Sequence, residues 1–196
     1  IMEIDFITSN KGKIAALKRS FLNAGRFDIK VNQVQADIVE PQLNNIADVS
    51  KYKAMEAFKI LKAYLVEDGG LVIEALNGFP GPYTKYVLST IGIDGILKLM
   101  NGENNRAAKF VSFATFVGND GTVCQFERFG DNFEIAYERK NVIHPDAWSD
   151  LWQVMYMKDY GKMLCEFSKQ ELSDFTERSQ TSGSLQQFAK WFLEKY

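Results

Sequence analysis

The first two dozen residues constrain the fold most. Residues 2–7 predict a short buried strand. Thr8-Ser9-Asn10-Lys11-Gly12-Lys13 is polar and turn-forming, and Ile14, Leu17, Phe21 and Leu22 then follow at i, i+3, i+7 and i+8. That is the stripe of an amphipathic helix. A strand, a polar loop and a helix start, in that order, aim backbone N–H groups at whatever occupies the loop, which suits an anion.

The same mixture continues along the chain. Residues 45–62 predict a second helix with the stripe Ile46, Val49, Lys53, Ala57 and Ile60, an apolar face interrupted by a lysine. Residues 64–67 predict a strand, followed by Asp68-Gly69-Gly70 and then the segment 71–75. Residues 83–90 and 93–100 predict short helices. Residues 107–117 and 122–128 alternate as paired strands do, with Asn119-Asp120-Gly121 as the hairpin turn. Residues 132–139 predict a third strand, 151–157 a further one, and 184–196 an amphipathic helix carrying Leu185, Phe188, Ala189 and Phe192. The class expected is therefore α/β or α+β with a mixed sheet. The 196 residues suit one domain with two lobes, and Asn101 to Asn105 is a polar stretch able to separate them.

Composition excludes several functions. The net charge of −2 leaves no basic excess for general nucleic-acid binding. No apolar run approaches the roughly 18 residues of a membrane span. The N-terminal segment lacks a secretory signal's basic-then-apolar layout, which predicts a cytoplasmic location. Cys124 and Cys165 lie far apart and form no CxxC pair, so both are expected as reduced, buried thiols. His144 is the one histidine, and there is no GxSxG elbow, so neither a multi-histidine zinc site nor an esterase triad is available. Chemistry must run on carboxylates, lysines and backbone.

Four places could carry it. Thr8, Asn10 and Lys13 at a helix start form a candidate phosphate cradle, although GxxxxGK[ST] is absent and a plain capped helix reads the same. Glu40, in Asp37-Ile38-Val39-Glu40-Pro41-Gln42, is a loop acid. Lys53 either snorkels from its apolar stripe or holds its ammonium toward an anion. Glu67-Asp68-Gly69-Gly70 sets two acids at a predicted strand end before glycines, which is either a charged turn or a site for Mg²⁺. Donors, lysines and carboxylates together match metal-assisted phosphoryl or nucleotidyl chemistry. Phe79, Tyr83 and Trp148 could stack on a base or belong to the core.

Taken in order, these segments resemble the Ham1-like inosine triphosphate pyrophosphatases, which remove non-standard purine nucleoside triphosphates. The likeness rests on Phe6-Ile7-Thr8-Ser9-Asn10-Lys11-Gly12-Lys13, on the Glu40 segment and on Lys51-Tyr52-Lys53-Ala54-Met55-Glu56-Ala57. Above all it rests on Val66-Glu67-Asp68-Gly69-Gly70-Leu71 running into Ala75-Leu76-Asn77-Gly78-Phe79-Pro80-Gly81-Pro82-Tyr83-Thr84-Lys85. The resemblance implies an α/β fold with a mixed twisted central sheet, flanking helices and two lobes around a cleft, usually as a homodimer. It implies hydrolysis of a nucleoside triphosphate to the monophosphate and pyrophosphate. Thr8, Asn10, Lys13 and Lys53 would hold the triphosphate. Glu40, Glu67 and Asp68 would bind Mg²⁺, with Mn²⁺ as a substitute, and Asp68 would orient or deprotonate the attacking water. Gly69, Lys85, Trp148, Asp150, Glu177 and Arg178 complete the implied substrate contacts.

The C-terminal half departs from the family. An aromatic-Gly-Trp-Asp-Pro stretch corresponds to Ala147-Trp148-Ser149-Asp150-Leu151-Trp152, and a Ser-His-Arg triplet to Thr176-Glu177-Arg178. Leu172 stands where a lysine is expected, and Gly69 where Thr or Ser is usual. Glutamate for histidine turns a potential donor into an acceptor, so the base preference should differ, with adenine or cytosine suiting an acceptor. The alternative is a nucleotide-binding protein of this fold that has lost turnover. A purely structural partner protein is the third reading.

Overall fold

The computed structural model describes residues 2–36, 38–39, 41–59, 64–180 and 183–196. In chain order the first elements are β1 (Met2–Ile7), α1 (Lys11–Asn23), β2 (Ile29–Val34), α2 (Ile46–Phe58) and β3 (Tyr64–Ile73). Next come β4 (Pro80–Gly81), α3 (Thr84–Thr90), α4 (Gly92–Leu99), β5 (Ala107–Val117), β6 (Val123–Phe129) and β7 (Phe133–Ile135). The chain ends with β8 (Met155–Met157), β9 (Lys162–Met163), α5 (Lys169–Gln180) and α6 (Ser184–Lys195). It divides into two compact units, one of residues 1–69, 112–128 and 180–196, the other of 70–111 and 129–179. Strands β3 and β5 contribute residues to both. The 101–105 stretch lies wholly inside the second unit.

In the first unit β1 is paired in parallel with β2 and with β3, in the register Ile7↔Val34 and Ile7↔Val66. Parallel strands need cover on both faces, and their residues read as near-continuous apolar runs. The chain supplies that cover with opposite stripes. Leu65 shares a core with Ile14, Leu17 and Phe21 of α1 and with Phe188, Ala189 and Phe192 of α6. Tyr64 and Val66, pointing the other way, share a core with Ala54 and Ala57 of α2. The second unit is antiparallel: β7 pairs with β5 and β8, and β8 with β9. Its core joins Val87 of α3, Ile93 and Ile96 of α4, Phe133, Trp152 and Met155. The sheet is thus mixed and flanked by helices, the α/β class the sequence predicts. No helix among the described residues is long and apolar enough to cross a membrane.

Several boundaries differ from expectation for identifiable reasons. β3 does not stop at the acid pair. Neither Gly69 nor Gly70 takes a left-handed φ, so the strand runs through them, and Leu71 pairs with Gly81 while Thr84 Oγ1 accepts from its N–H at 2.8 Å. Residues 151–157 are not one strand: Ser149 Oγ accepts from Leu151 N at 3.2 Å and opens a 3₁₀ turn over Asp150–Gln153 before β8. Strand β7 is shorter than predicted. The Arg106 guanidinium, buried there, donates to the carbonyls of Ile135 and Ala136 at 2.7 and 2.5 Å, and to Met100 O at 2.6 Å. Leu22 is exposed rather than part of the α1 stripe; Ser20 is buried instead, its hydroxyl donating to Ala16 O. The second helix ends at Phe58, and Ile60 lies outside the described residues. Of the thiols, Cys165 is buried and Cys124 only half-buried, both free. His144 is a satisfied core residue: Nδ1 accepts from Asp146 N at 3.1 Å, which leaves Nε2–H to donate to Phe167 O at 3.1 Å.

Candidate active site

The polar cluster of the first unit gathers where its parallel strands end. The register places Glu67 just past the Ile7↔Val66 pair, beside Thr8. Carboxyl ends of strands are where open α/β sheets bind ligands. Thr8 is fixed by its own N–H donating to Val34 O at 3.2 Å and by Gln33 Nε2 donating to its carbonyl at 2.8 Å. Thr8 Oγ1 accepts from Asn10 N at 3.1 Å. Asn10 caps α1, its Oδ1 accepting from Gly12 N at 2.8 Å and Lys13 N at 3.4 Å. A Cβ at position 12 would come within 3.0 Å of that cap oxygen, which is a reason for glycine there. The first turn of α1 carries no acid and two lysines, the reverse of what the helix dipole prefers.

Two of the lysines proposed from the sequence, Lys13 and Lys53, meet carboxylates. Lys13, on α1, reaches β3 and places Nζ 2.7 Å from Glu67 Oε2 and 2.7 Å from the Glu67 carbonyl. Lys53, on α2, places Nζ 3.0 Å from Asp68 Oδ1. Strand alternation sends these adjacent acids to opposite faces, Glu67 toward α1 and Asp68 toward α2. The sequence, which read the two acids as one cluster, does not show this division.

Asp68 also carries a buried oxygen, Oδ2, that has no hydrogen-bond partner among the described residues. An unpaired buried carboxylate oxygen is costly unless something positive or a proton donor meets it. Hard oxygen donors of this kind suit Mg²⁺ or Mn²⁺. Asp68 therefore fits a divalent cation. Glu67 is held by Lys13 on the other face through Oε2. No group of three or more potential ligands is assembled among the described residues, and Glu40 lies outside them.

The remaining sequence-predicted residues belong to the second unit. Lys85 is exposed in the first turn of α3, and Asp150 is exposed at the start of its 3₁₀ turn. Trp148 is exposed and meets Phe110 edge-on at 5.1 Å. Phe79 and Tyr83 are also exposed rather than core. Glu177 and Arg178 are exposed on α5, with Arg178 at 3.5 Å from Asp159 and over the Tyr160 ring. Leu172 packs against the apolar core. Sequence reasoning missed α5 itself. Its signal was Ser168-x-x-Glu171, a capping box in which Ser168 N donates to Glu171 Oε2 at 2.7 Å and Glu171 N to Ser168 Oγ at 3.3 Å. Lys162 Nζ meets the same carboxylate at 2.7 Å, and these contacts hold the Glu171 carboxyl down at about 2.

A mixed sheet with lysine-held acids at the ends of its parallel strands, beside a capped helix start, defines a class of α/β proteins with a polar site at the strand termini. The chain belongs to the Ham1 family, whose model matches residues 4–188. Among curated proteins it is similar to the dITP/XTP pyrophosphatase of Thermococcus kodakarensis, 31% identical over 98% of each chain. It is also similar to that of Methanothermobacter marburgensis, 33% identical over 100% of this chain and 98% of the other. The Methanopyrus kandleri dITP/XTP pyrophosphatase is 41% identical over 64% of this chain, a match that spans 65% of that protein. Among solved structures, the Ham1 protein of Staphylococcus aureus superposes with a TM-score of 0.75 at 19% identity, covering 99% of this chain and 100% of that one. A nucleoside-triphosphatase / dITP/XTP pyrophosphatase from Mycobacterium abscessus superposes with 0.76 at 20% identity, covering 92% and 95%. These structural likenesses support the fold.

Proposed function

We propose that this protein is a Mg²⁺-dependent nucleoside triphosphate pyrophosphatase that converts a (d)NTP, such as a non-canonical purine nucleotide, to the monophosphate and pyrophosphate. The observation that carries the proposal is the buried Asp68 Oδ2, without a hydrogen-bond partner among the described residues, beside the Lys53 ammonium. The names of the relatives, dITP/XTP pyrophosphatases, agree with it. In-line displacement at phosphorus needs little covalent help and much positioning and charge neutralisation. The start of α1 offers the phosphate chain its positive dipole end, the Thr8 hydroxyl, the Asn10 side-chain amide and the Lys13 cation. Lys53 adds a second cation and holds Asp68 by one oxygen. The other oxygen is left for a divalent cation, and the carboxylate would orient the water that attacks the α-phosphorus and accept its proton.

When bound, Mg²⁺ supplies charge neutralisation on the phosphate oxygens. Asp68 would hold it together with Glu40 and Glu67. Gly69, Lys85, Trp148, Asp150, Glu177 and Arg178 are assigned to substrate contacts on the resemblance stated above. The carboxylate of Glu177 favours an amino-bearing base at that position. A cytoplasmic homodimer is the corresponding assembly, which light scattering in solution would test.

The test is a panel of ribo- and deoxyribonucleoside triphosphates with Mg²⁺, each read by pyrophosphate release and by melting temperature. Pyrophosphate from at least one supports the proposal; orthophosphate as the product refutes it. Leu172 and Glu177, standing where a lysine and a histidine are the rule in the family, favour one second reading, a nucleotide binder without turnover. It predicts a melting shift with nucleotides and no hydrolysis.

A further inference from the structure

The face of α2 that enters the core of the first unit carries a chain of polar groups that the proposed reaction does not use. Ser50 and Thr115 are both fully buried. Ser50 Oγ lies 3.1 Å from Phe113 O and 2.7 Å from Thr115 Oγ1. Gln125 Nε2 lies 3.0 Å from Thr115 Oγ1 and 3.0 Å from Ala47 O. A carbonyl only accepts, so the Ser50 hydroxyl proton goes to Phe113 O. Thr115 must then donate to Ser50, and Thr115's lone pair receives the Gln125 amide. Every proton in the chain has one assignment. At the far side of Lys53 the Tyr64 hydroxyl donates to the Ala54 carbonyl. Burial pushes that phenol up to about 12, so it stays protonated and keeps donating.

We propose that the Ser50–Thr115–Gln125 hydrogen-bond chain and the Tyr64–Ala54 bond form a positioning device that sets α2 in depth and rotation so that Lys53 meets Asp68. The anchored positions 47, 50 and 54 sit at i, i+3 and i+7, along one side of the helix, and Lys53 is one residue from the last and three from the middle one. Apolar packing alone is non-directional and tolerates sliding of a helix along its groove. Directed bonds at three levels of the helix do not. Val49, Ala54 and Ala57 offer little side-chain relief to correct a slip. The strand partners of this chain are fixed as well: Thr115 and Gln125 lie on the paired strands β5 and β6, and Tyr64 is three residues before Glu67 on β3, the strand that carries Asp68. The device therefore references the lysine and its carboxylate to one sheet. It rests on the assignment of Lys53 and Asp68 to the reaction for its meaning and for its activity readout, but not for its resonance readout.

Thr115→Val removes the hydroxyl at nearly constant volume, and Thr115→Ser keeps it. The first readout is independent of activity: the ε-¹³C resonance of Lys53 in the full-length protein, assigned by its loss in Lys53→Met. It should move in Thr115→Val toward its position in Asp68→Asn and return in Thr115→Ser. The second readout is pyrophosphate release. Thr115→Val should lower kcat by about 10- to 100-fold with KM little changed, since small misplacements at a reacting centre carry such costs. In a Lys53→Met background the same substitution should change kcat less than about twofold, because coupled residues are non-additive. Ser50→Ala breaks the chain from the helix side and raises helix propensity, so it repeats both readouts if Thr115→Val folds poorly. An unmoved Lys53 resonance overturns the inference, as does an equal activity loss in both backgrounds. A moved resonance in a protein that hydrolyses no triphosphate upholds the positioning device and refutes the pyrophosphatase reading.

Discussion

Asp68→Asn separates chemistry from folding at this site. The carboxylate lies 3.0 Å from the Lys53 ammonium, and both side chains are under one-fifth exposed. At an effective dielectric of about 20, such a pair attracts by about 5 kcal/mol before desolvation is counted. Desolvation offsets most of that, more so because Oδ2 is buried without a partner among the described residues. The amide of asparagine keeps the shape and still accepts from Lys53. Net stability should therefore change by about 1 kcal/mol, which is about 2–4 °C in a chain of this size. The reaction should suffer far more. A positioned general base contributes about 10²- to 10⁴-fold, equivalent to about 2.7–5.4 kcal/mol of barrier. The assay is initial-rate pyrophosphate release at saturating triphosphate and Mg²⁺, with circular dichroism and melting on the same preparations. If Asp68→Asn melts within a few degrees of the parent and keeps kcat within about tenfold, Asp68 is not the group that handles the water.

Three further outcomes are expected. Asn10→Ala removes the α1 cap and should cost about 0.5–2 kcal/mol in denaturant unfolding, with a higher KM for triphosphate; an unchanged KM would detach the helix start from substrate binding. Phe188→Ala opens a hole among Phe21, Phe116, Phe126 and Phe192 and should cost about 3–5 kcal/mol by urea unfolding; a loss under about 1 kcal/mol would mean that α6 does not close that core. Glu171 titrates near 2 in the folded chain, below the unfolded value of about 4.3, so its contribution is present at neutral pH and disappears as pH falls from about 4 through 2. Melting curves of the parent and Glu171→Gln should accordingly converge as acid is added, and a gap that persists at pH 2 would contradict the Lys162 and Ser168 contacts.

Much of the fold is legible in the sequence because its elements announce themselves locally. The run 2–7, the stripe of Ile14, Leu17 and Phe21, and the Asn119-Asp120-Gly121 turn each reappear as β1, α1 and the β5–β6 connection. The glycines after Asp68 misled, since glycine permits a turn without requiring one, and β3 runs on through them to pair with β4 at Leu71 and Val72. The run 151–157 misled because a short apolar stretch fits strand and buried 3₁₀ turn equally well. The helix α5 was missed because its polar face hides a weak apolar stripe, although its capping box stands in the sequence.

Residue types and their order, by themselves, determined which groups this chain can bring to phosphate chemistry: lysines, adjacent acids and a polar helix start, with a single histidine in the whole chain. Only the tertiary structure decided how those groups are shared out. Alternation along β3 sends Glu67 to Lys13 on one face and Asp68 to Lys53 on the other. Residues far from them in sequence, Thr115 and Gln125, hold α2 in register. The reason is that side-chain chemistry is local, whereas the direction of a strand residue and the depth of a helix depend on what packs and bonds against them from elsewhere in the chain.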